Sequence, residues 1–263
     1  MEDTSSQDKV VAAVMKAFKL SRNECKWKDR AIVIEPEKGK DKLVIEVSIS
    51  STLKRYNTKR FKFINCVFKK QISLKQITFK EILYFLNSTF ERKVDFSRSL
   101  FEKRVFFSES IFEQNAYFEE VFFDHNVYFD KTTFKNKVTF DESEFCRHAH
   151  FYGTRFNTFP NFTQTIFNGS INLTNVEPHV RISNLKENIE GIYEQRKEKY
   201  DENQDKNPEK EPQKHKIANE LRDSFRAIKS ALIRDNNMLD AHDYEVLEQY
   251  CKEIELEYKN SEQ

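Results

Sequence analysis

The stretch VDFSRSLFEKRVFFSESIFEQNAYFEEVFFD, residues 94–124, decides the fold. Phenylalanine stands in it at positions 96, 101, 107, 112, 118 and 123, at steps alternately of five and six. Outward in both directions the same beat runs from Phe63 to Leu173. One series is Phe68, Phe79, Phe90, Phe101, Phe112, Phe123, Phe134, Phe145, Phe156 and Phe167. The other is Phe63, Leu74, Phe85, Phe96, Phe107, Phe118, Phe129, Phe140, Phe151, Phe162 and Leu173. Nineteen of these 21 positions are Phe, out of 25 Phe in the chain, which excludes a chance arrangement. Internal periodicity of this kind is read before any other signal.

Neither a helix nor a flat strand has this period. A helix spaces its apolar residues by three and four, a half-buried strand by two. A step of five to six fits a chain that runs a short extended segment, turns a corner and repeats, with one large side chain inward per segment. Two residues earlier lies a second, smaller inward position on the same face. Before one series it is Ile72, Leu83, Val94, Val105, Ala116, Val127, Val138, Ala149, Pro160 and Ile171; before the other it includes Ser88, Ser99, Ser110, Thr132, Ser143, Thr154 and Thr165. An ordinary Phe-rich sandwich has variable turns and would lose this phase.

Over roughly residues 61–176 the pattern resembles the pentapeptide-repeat family in its eleven-residue, five-plus-six form. The resemblance implies a mainly β fold: a right-handed, quadrilateral β-helix (solenoid) with Phe or Leu and the small residue before it pointing inward. Phe90, Phe96, Phe101, Phe107, Phe112, Phe118, Phe123, Phe129, Phe134, Phe140, Phe145 and Phe151 then form the structural core. Four segments make one coil, so stacked positions lie two eleven-residue periods apart. That gives roughly five coils, a rod about 25 Å long. Phe90, Phe112, Phe134 and Phe156 are expected to alternate between two faces, and Phe96 to stack beyond Phe118 on Phe140. Two departures stand out: Phe replaces the commoner Leu, and Pro160, lacking a donor, should break the ladder locally.

The chain divides into residues 1–58, a helix-plus-hairpin cap; 59–176, the β-helix; 177–216, a helix and charged linker; and 217–263, a helical hairpin. Asp8 to Leu20 reads as a helix with Val11, Val14, Met15 and Phe18 on one face. Ala31 to Glu35 and Leu43 to Ile49 read as strands joined in a hairpin through Lys38-Gly39-Lys40-Asp41. This small α+β unit is expected to cap the first coil, whose bare edges would otherwise recruit other chains. Beyond Pro178, Leu185 to Tyr200 reads as a helix, and Tyr200 to Lys216 as a mobile charged linker. Ile217 to Asp235 is amphipathic through Leu221, Phe225, Ile228 and Leu232. Asp240 is the expected cap of a last helix carrying Tyr244, Leu247, Cys251, Ile254 and Tyr258. This tail resembles the segment after the repeats in uncharacterised bacterial pentapeptide-repeat proteins, some of which continue into membrane-spanning helices; whether this chain is a soluble or a truncated member stays open.

The 263-residue chain is near neutral, formally +1. No apolar run is long enough to span a bilayer, and MEDTSSQDKV has neither the basic head nor the apolar core of a secretory signal. Cys25, Cys66, Cys146 and Cys251 fit no disulfide or zinc spacing, so reduced thiols in a bacterial cytoplasm are expected. Charge is uneven along the repeat. Ten Lys/Arg stand against four Asp/Glu from Phe61 to Arg104, and three against nine from Glu109 to Glu144.

One outward feature is non-random. Tyr84, Phe106, Tyr128 and His150 recur at every second eleven-residue period and should stack as an exposed aromatic column. Such a column marks a contact surface unless the chain's own C-terminal helices cover it. His148 and His150 flank inward Ala149 and face outward as weak metal-ligand candidates; the stacked neighbours Asn126, Tyr128, Ser170 and Asn172 add no third ligand. Four Gly and no nucleophile motif leave no catalytic residues, and no cofactor site, to nominate. Gyrase binding by DNA mimicry, known for some relatives, needs an acidic rod, but residues 61–176 carry 15 Lys/Arg against 13 Asp/Glu. No basic patch joins a nucleic-acid-reading motif. The reading is therefore a non-catalytic protein–protein interaction or scaffold module with an unidentified protein partner; the alternative is a peripheral or membrane-complex-associated protein, without a spanning helix.

Overall fold

The computed structural model describes residues 4–177, 181–201 and 211–261. The repeat winds into a four-walled tube whose walls are sheets of 8, 6, 4 and 5 strands. The first wall stacks, in parallel, strands Phe61–Ile64, Leu83–Leu86, Val105–Phe106, Val127–Tyr128, Ala149–His150 and Ile171–Asn172. The second begins at Cys66–Phe68, the third at Ile72–Ser73 and the fourth at Thr78–Phe79. Pairing keeps one register from coil to coil, as in Val105 with Val127 and Val94 with Ala116.

The interior is four columns of rings. Phe96 lies 5.5 Å from Phe118 and Phe118 lies 5.1 Å from Phe140, nearly parallel. Phe90, Phe112, Phe134 and Phe156 do not alternate between faces. The step from each to the next is one full coil, so all four share the second wall at 4.6, 4.8 and 5.4 Å. For the same reason Phe96 meets Phe118 directly and reaches Phe140 only through it. The ring spacing follows from the separation of hydrogen-bonded strands, about 4.8 Å. Between walls the rings meet edge to face, as in Phe118 and Phe129 at 5.4 Å and 80°. All twelve core phenylalanines named above are at most 1% exposed.

The small inward positions do more than leave room. The Ser110 hydroxyl donates to the Phe85 carbonyl at 2.9 Å and accepts the Ser88 amide at 3.1 Å. Ser99 does the same with Leu74 and Ile77 at 2.6 and 3.1 Å. Thr132, Thr154 and Thr165 donate to carbonyls of the preceding coil at 2.8, 2.7 and 2.8 Å. These hydroxyls satisfy corner backbone groups that the two-residue strands leave out. Ser110→Ala should therefore cost about 2–4 kcal/mol by stranding a buried carbonyl and amide, while Ser110→Thr costs little; denaturant midpoints compare the two.

The corners carry a beat of their own. Positive φ recurs at an eleven-residue step at Asn65, Gln76, Asn87, Arg98, Glu109, Glu120, Lys131, Glu142, Gly153, Gln164 and Asn175. The Ser99 amide closes on the Phe96 carbonyl at 3.1 Å, which places Arg98 third in a four-residue turn, the position where type II turns demand positive φ. Bulky residues are held there because their amides bond the next coil, as Arg98 to Glu119 and Glu120 to Asp141, both at 2.8 Å. Charges pair along the axis on these corners, Arg98–Glu120 at 2.9 Å and Lys131–Glu109 at 3.8 Å, and elsewhere on the walls, Lys135–Glu113 at 2.9 Å and Arg155–Glu177 at 3.0 Å. The uneven distribution of charge is thereby partly compensated from coil to coil, at a modest energy per exposed pair.

Both ends are closed. Helix α1 (Thr4–Phe18) buries Val14 and Phe18, with the Phe18 ring 6.2 Å from Phe63. The expected hairpin through Gly39 does not form. β2 (Ala31–Ile34) pairs antiparallel with β1 (Cys25–Lys28) and parallel with Phe61–Ile64, whereas β3 (Leu43–Ile45) pairs with Cys66–Phe68. The two strands thus extend adjacent walls by one coil, because open strand edges of the tube bind them more fully than they could bind each other. The true hairpin turn is Asp29-Arg30, both at positive φ, and a short helix α2 (Ser50–Arg55) adds buried Leu53. At the third wall's far end, pairing narrows to the bridge Thr139–Asn161 beside Pro160.

α3 (Ile182–Asp201), α4 (Lys214–Arg234) and α5 (Met238–Ser261) follow. The cap of α5 is Asn237, not Asp240: the Asp240 amide donates to Asn237 Oδ1 at 3.3 Å, since the helix begins at Met238. Ile228, Ala231, Leu232 and Ala241 join the tube's own core. Ser224 Oγ accepts the Phe162 amide at 2.9 Å, and Asp235 accepts that of Ile171 at 3.3 Å. The helical pair is a lid on the last coil, not a separate unit. Of the charged stretch expected to be a mobile linker, residues 202–210 lie outside those described, as does Pro178.

Candidate functional site

The first wall presents the aromatic column. Tyr84 and Phe106 stack at 4.6 Å, Phe106 and Tyr128 at 4.4 Å, Tyr128 and His150 at 4.5 Å, with ring planes within 11°. The cause is register: strands that pair one coil apart place identical outward positions one strand spacing from each other. All four side chains are half-buried by each other and their neighbours. Lys62 continues the column with its ammonium 5.1 Å from the Tyr84 ring. Half-buried Ile82 and Leu86 widen it. The C-terminal helices lie elsewhere, over the tube end and against the third wall, where Phe225 meets Phe159 at 4.9 Å. Among the described residues no ring contact, hydrogen bond or ion pair joins them to the column.

At the column's end His148 and His150 have ring centroids 6.1 Å apart. Burial pushes the His150 imidazole down, opposed by Asp130, and burial pushes the Asp130 carboxyl up. His148 Nδ1 contacts Ser170 Oγ. Among the described residues no three His, Cys, Asp or Glu gather as metal ligands. Cys146 lies 3.6 Å from Glu144, and burial with that carboxylate pushes its thiol up to about 11. Burial pushes Cys25, Cys66 and Cys251 up to about 12. Thiols raised in this way are poor nucleophiles at neutral pH.

A second concave feature lies where the third wall meets α3 and the start of α4, a site with no signal in the repeat pattern. Its floor is Tyr117, Val138, Phe159 and Ile192. Arg196 binds Glu220 through both terminal nitrogens at 3.0 and 2.6 Å. Beside it, Asp141 Oδ1 is buried with no hydrogen-bond partner among the described residues. Burial first, then Glu142, Glu119 and Glu220, push the Asp141 carboxyl up to about 6 from 3.8. Its protonated form therefore suits the fold, and the stability it contributes below pH 4 is lost as pH rises through about 6. Asp141→Asn should raise the melting temperature by a few degrees at pH 7.5 and leave it unchanged near pH 4, as followed by circular dichroism.

No helix among the described residues is long and apolar enough to cross a membrane. No curated protein and no solved structure matches the chain. The family model for pentapeptide repeats (9 copies) matches residues 63–111 and 85–133. Those residues hold the in-phase ring columns and the hydroxyl-bridged coils described above, and this part of the chain is built of pentapeptide repeats.

Proposed function

We propose that this protein is a non-catalytic scaffold that docks a protein partner along the first wall of its tube. The column Tyr84–Phe106–Tyr128–His150 carries the reading. Stacked aromatic rings on a rigid wall give large contact area with little side-chain entropy left to lose. Aromatic residues are also enriched where interfaces concentrate their binding energy. The interior ring columns keep the wall stiff, so the surface is preorganised.

The test is affinity capture from a native extract with three proteins: wild type, Phe106→Ser/Tyr128→Ser, and Met238→Ser/Leu239→Ser. The last pair sits at the exposed tip of the helical lid, at 61 and 85% exposure. Partners held by the wild type should be lost from the column variant and kept by the tip variant. An identical partner set for wild type and column variant ends the proposal. Deleting the helices is a poor substitute, because it uncovers the last coil.

A further inference from the structure

We infer that the cleft between the third wall and the α3–α4 pair binds a small organic anion, a carboxylate or phosphate carried on an apolar body. The inference is independent of the aromatic column, which lies on another wall. The cleft holds about 430 Å³, within the roughly 300–1,000 Å³ of small-molecule sites. Its floor is apolar, as named above, and fits a flat hydrocarbon body.

Unpaired charge on the lining itself selects the sign of the ligand. Two carboxylates line the cleft, and both are engaged: Glu220 by Arg196, and Glu211 by Lys197 at 2.5 Å. Two ammonium groups line it as well, Lys137 and Lys216, and neither has a carboxylate within ion-pair distance among the described residues. Lys137 is half-buried. Burial, and then the Arg196 charge, push its ammonium down, against the smaller pulls of Glu220, Glu119 and Asp141. An anion placed there would relieve an existing cost. Lys216 stands in the first turn of α4, whose N-cap Gln213 makes no side-chain capping bond and whose first turn holds no acid. The positive end of that helix adds to the field of the two lysines. Asn115 and Gln195 supply neutral donors at the rim.

The probes are benzoate, phenyl phosphate and neutral phenol, which share one ring and differ in head group. Binding to the full chain is followed by calorimetry and by saturation-transfer NMR. At least one anion should bind saturably below about 10 mM, and phenol should bind at least tenfold more weakly, about 1.4 kcal/mol. Lys137→Gln and Lys216→Gln should each weaken the anion several-fold, with Lys62→Gln on the first wall leaving it unchanged. Preference between benzoate and phenyl phosphate assigns the head group. The inference is overturned if neither anion binds, if phenol binds as well as the anions, or if both lysine variants retain full affinity. Phe106→Ser/Tyr128→Ser should keep anion binding, so failure of the docking column leaves this result readable.

Discussion

Phe118→Ala is expected to destabilise the tube by about 3–5 kcal/mol. Phe118 is fully buried at mid-length, stacked on Phe96 and Phe140 and meeting Phe107 and Phe129 edge-on at 5.6 and 5.4 Å. Alanine would leave a ring-sized void that short strands, pinned in register above and below, cannot collapse into. Each coil touches only its neighbours, so the loss should be local before it is global. The single tryptophan, Trp27 in β1, reports the N-terminal end. Denaturation by guanidinium should therefore separate the Trp27 transition from the circular-dichroism transition in the variant and leave them together in the wild type. A cost below about 1 kcal/mol would mean the columns are looser than their close stacking implies.

Leu232→Asp should detach the lid. Leu232 is 3% exposed in α4 and packs, with Ile228 and Ala231, into the tube's own core. An unpaired carboxylate there costs several kcal/mol. Releasing α4 and α5 bares the last rings, Phe162 and Phe167, and the edge strands Ile166–Phe167 and Ile171–Asn172, which invite pairing with other chains. Self-association on size exclusion is expected, with faster amide exchange over 160–173 and none over 83–107. The neighbouring Ile233→Asp, at a side chain 44% exposed, should change neither. If both variants stay monomeric and equally protected, the helices are not a lid.

The ring columns were legible because their cause is local: every coil repeats one short instruction, and 19 of 21 positions spell it the same way. The first-wall column followed from the same arithmetic. The corner residues carry no such signal, since Arg98, Glu109 and Glu120 are unlike the Gly or Asn that positive φ favours. Only their step of eleven marks them. The N-terminal strands misled for a different reason. A Gly-containing turn between two β-prone runs is a sound hairpin signal, yet each run found a better partner on an open edge of the tube.

The sequence by itself determined the repeating short walls and their inward rings, because a strict period sends the same position inward each time; which rings share a wall became plain only from the stacked strands. Where the ends attach was decided only by tertiary structure. α4 closes on Phe162 through Ser224, and Lys137 lines one cleft with Arg196 and Glu220 from a distant part of the chain. No local period encodes such contacts. They exist because the open end of the tube must be covered, and the helices that cover it create the cleft as they do so.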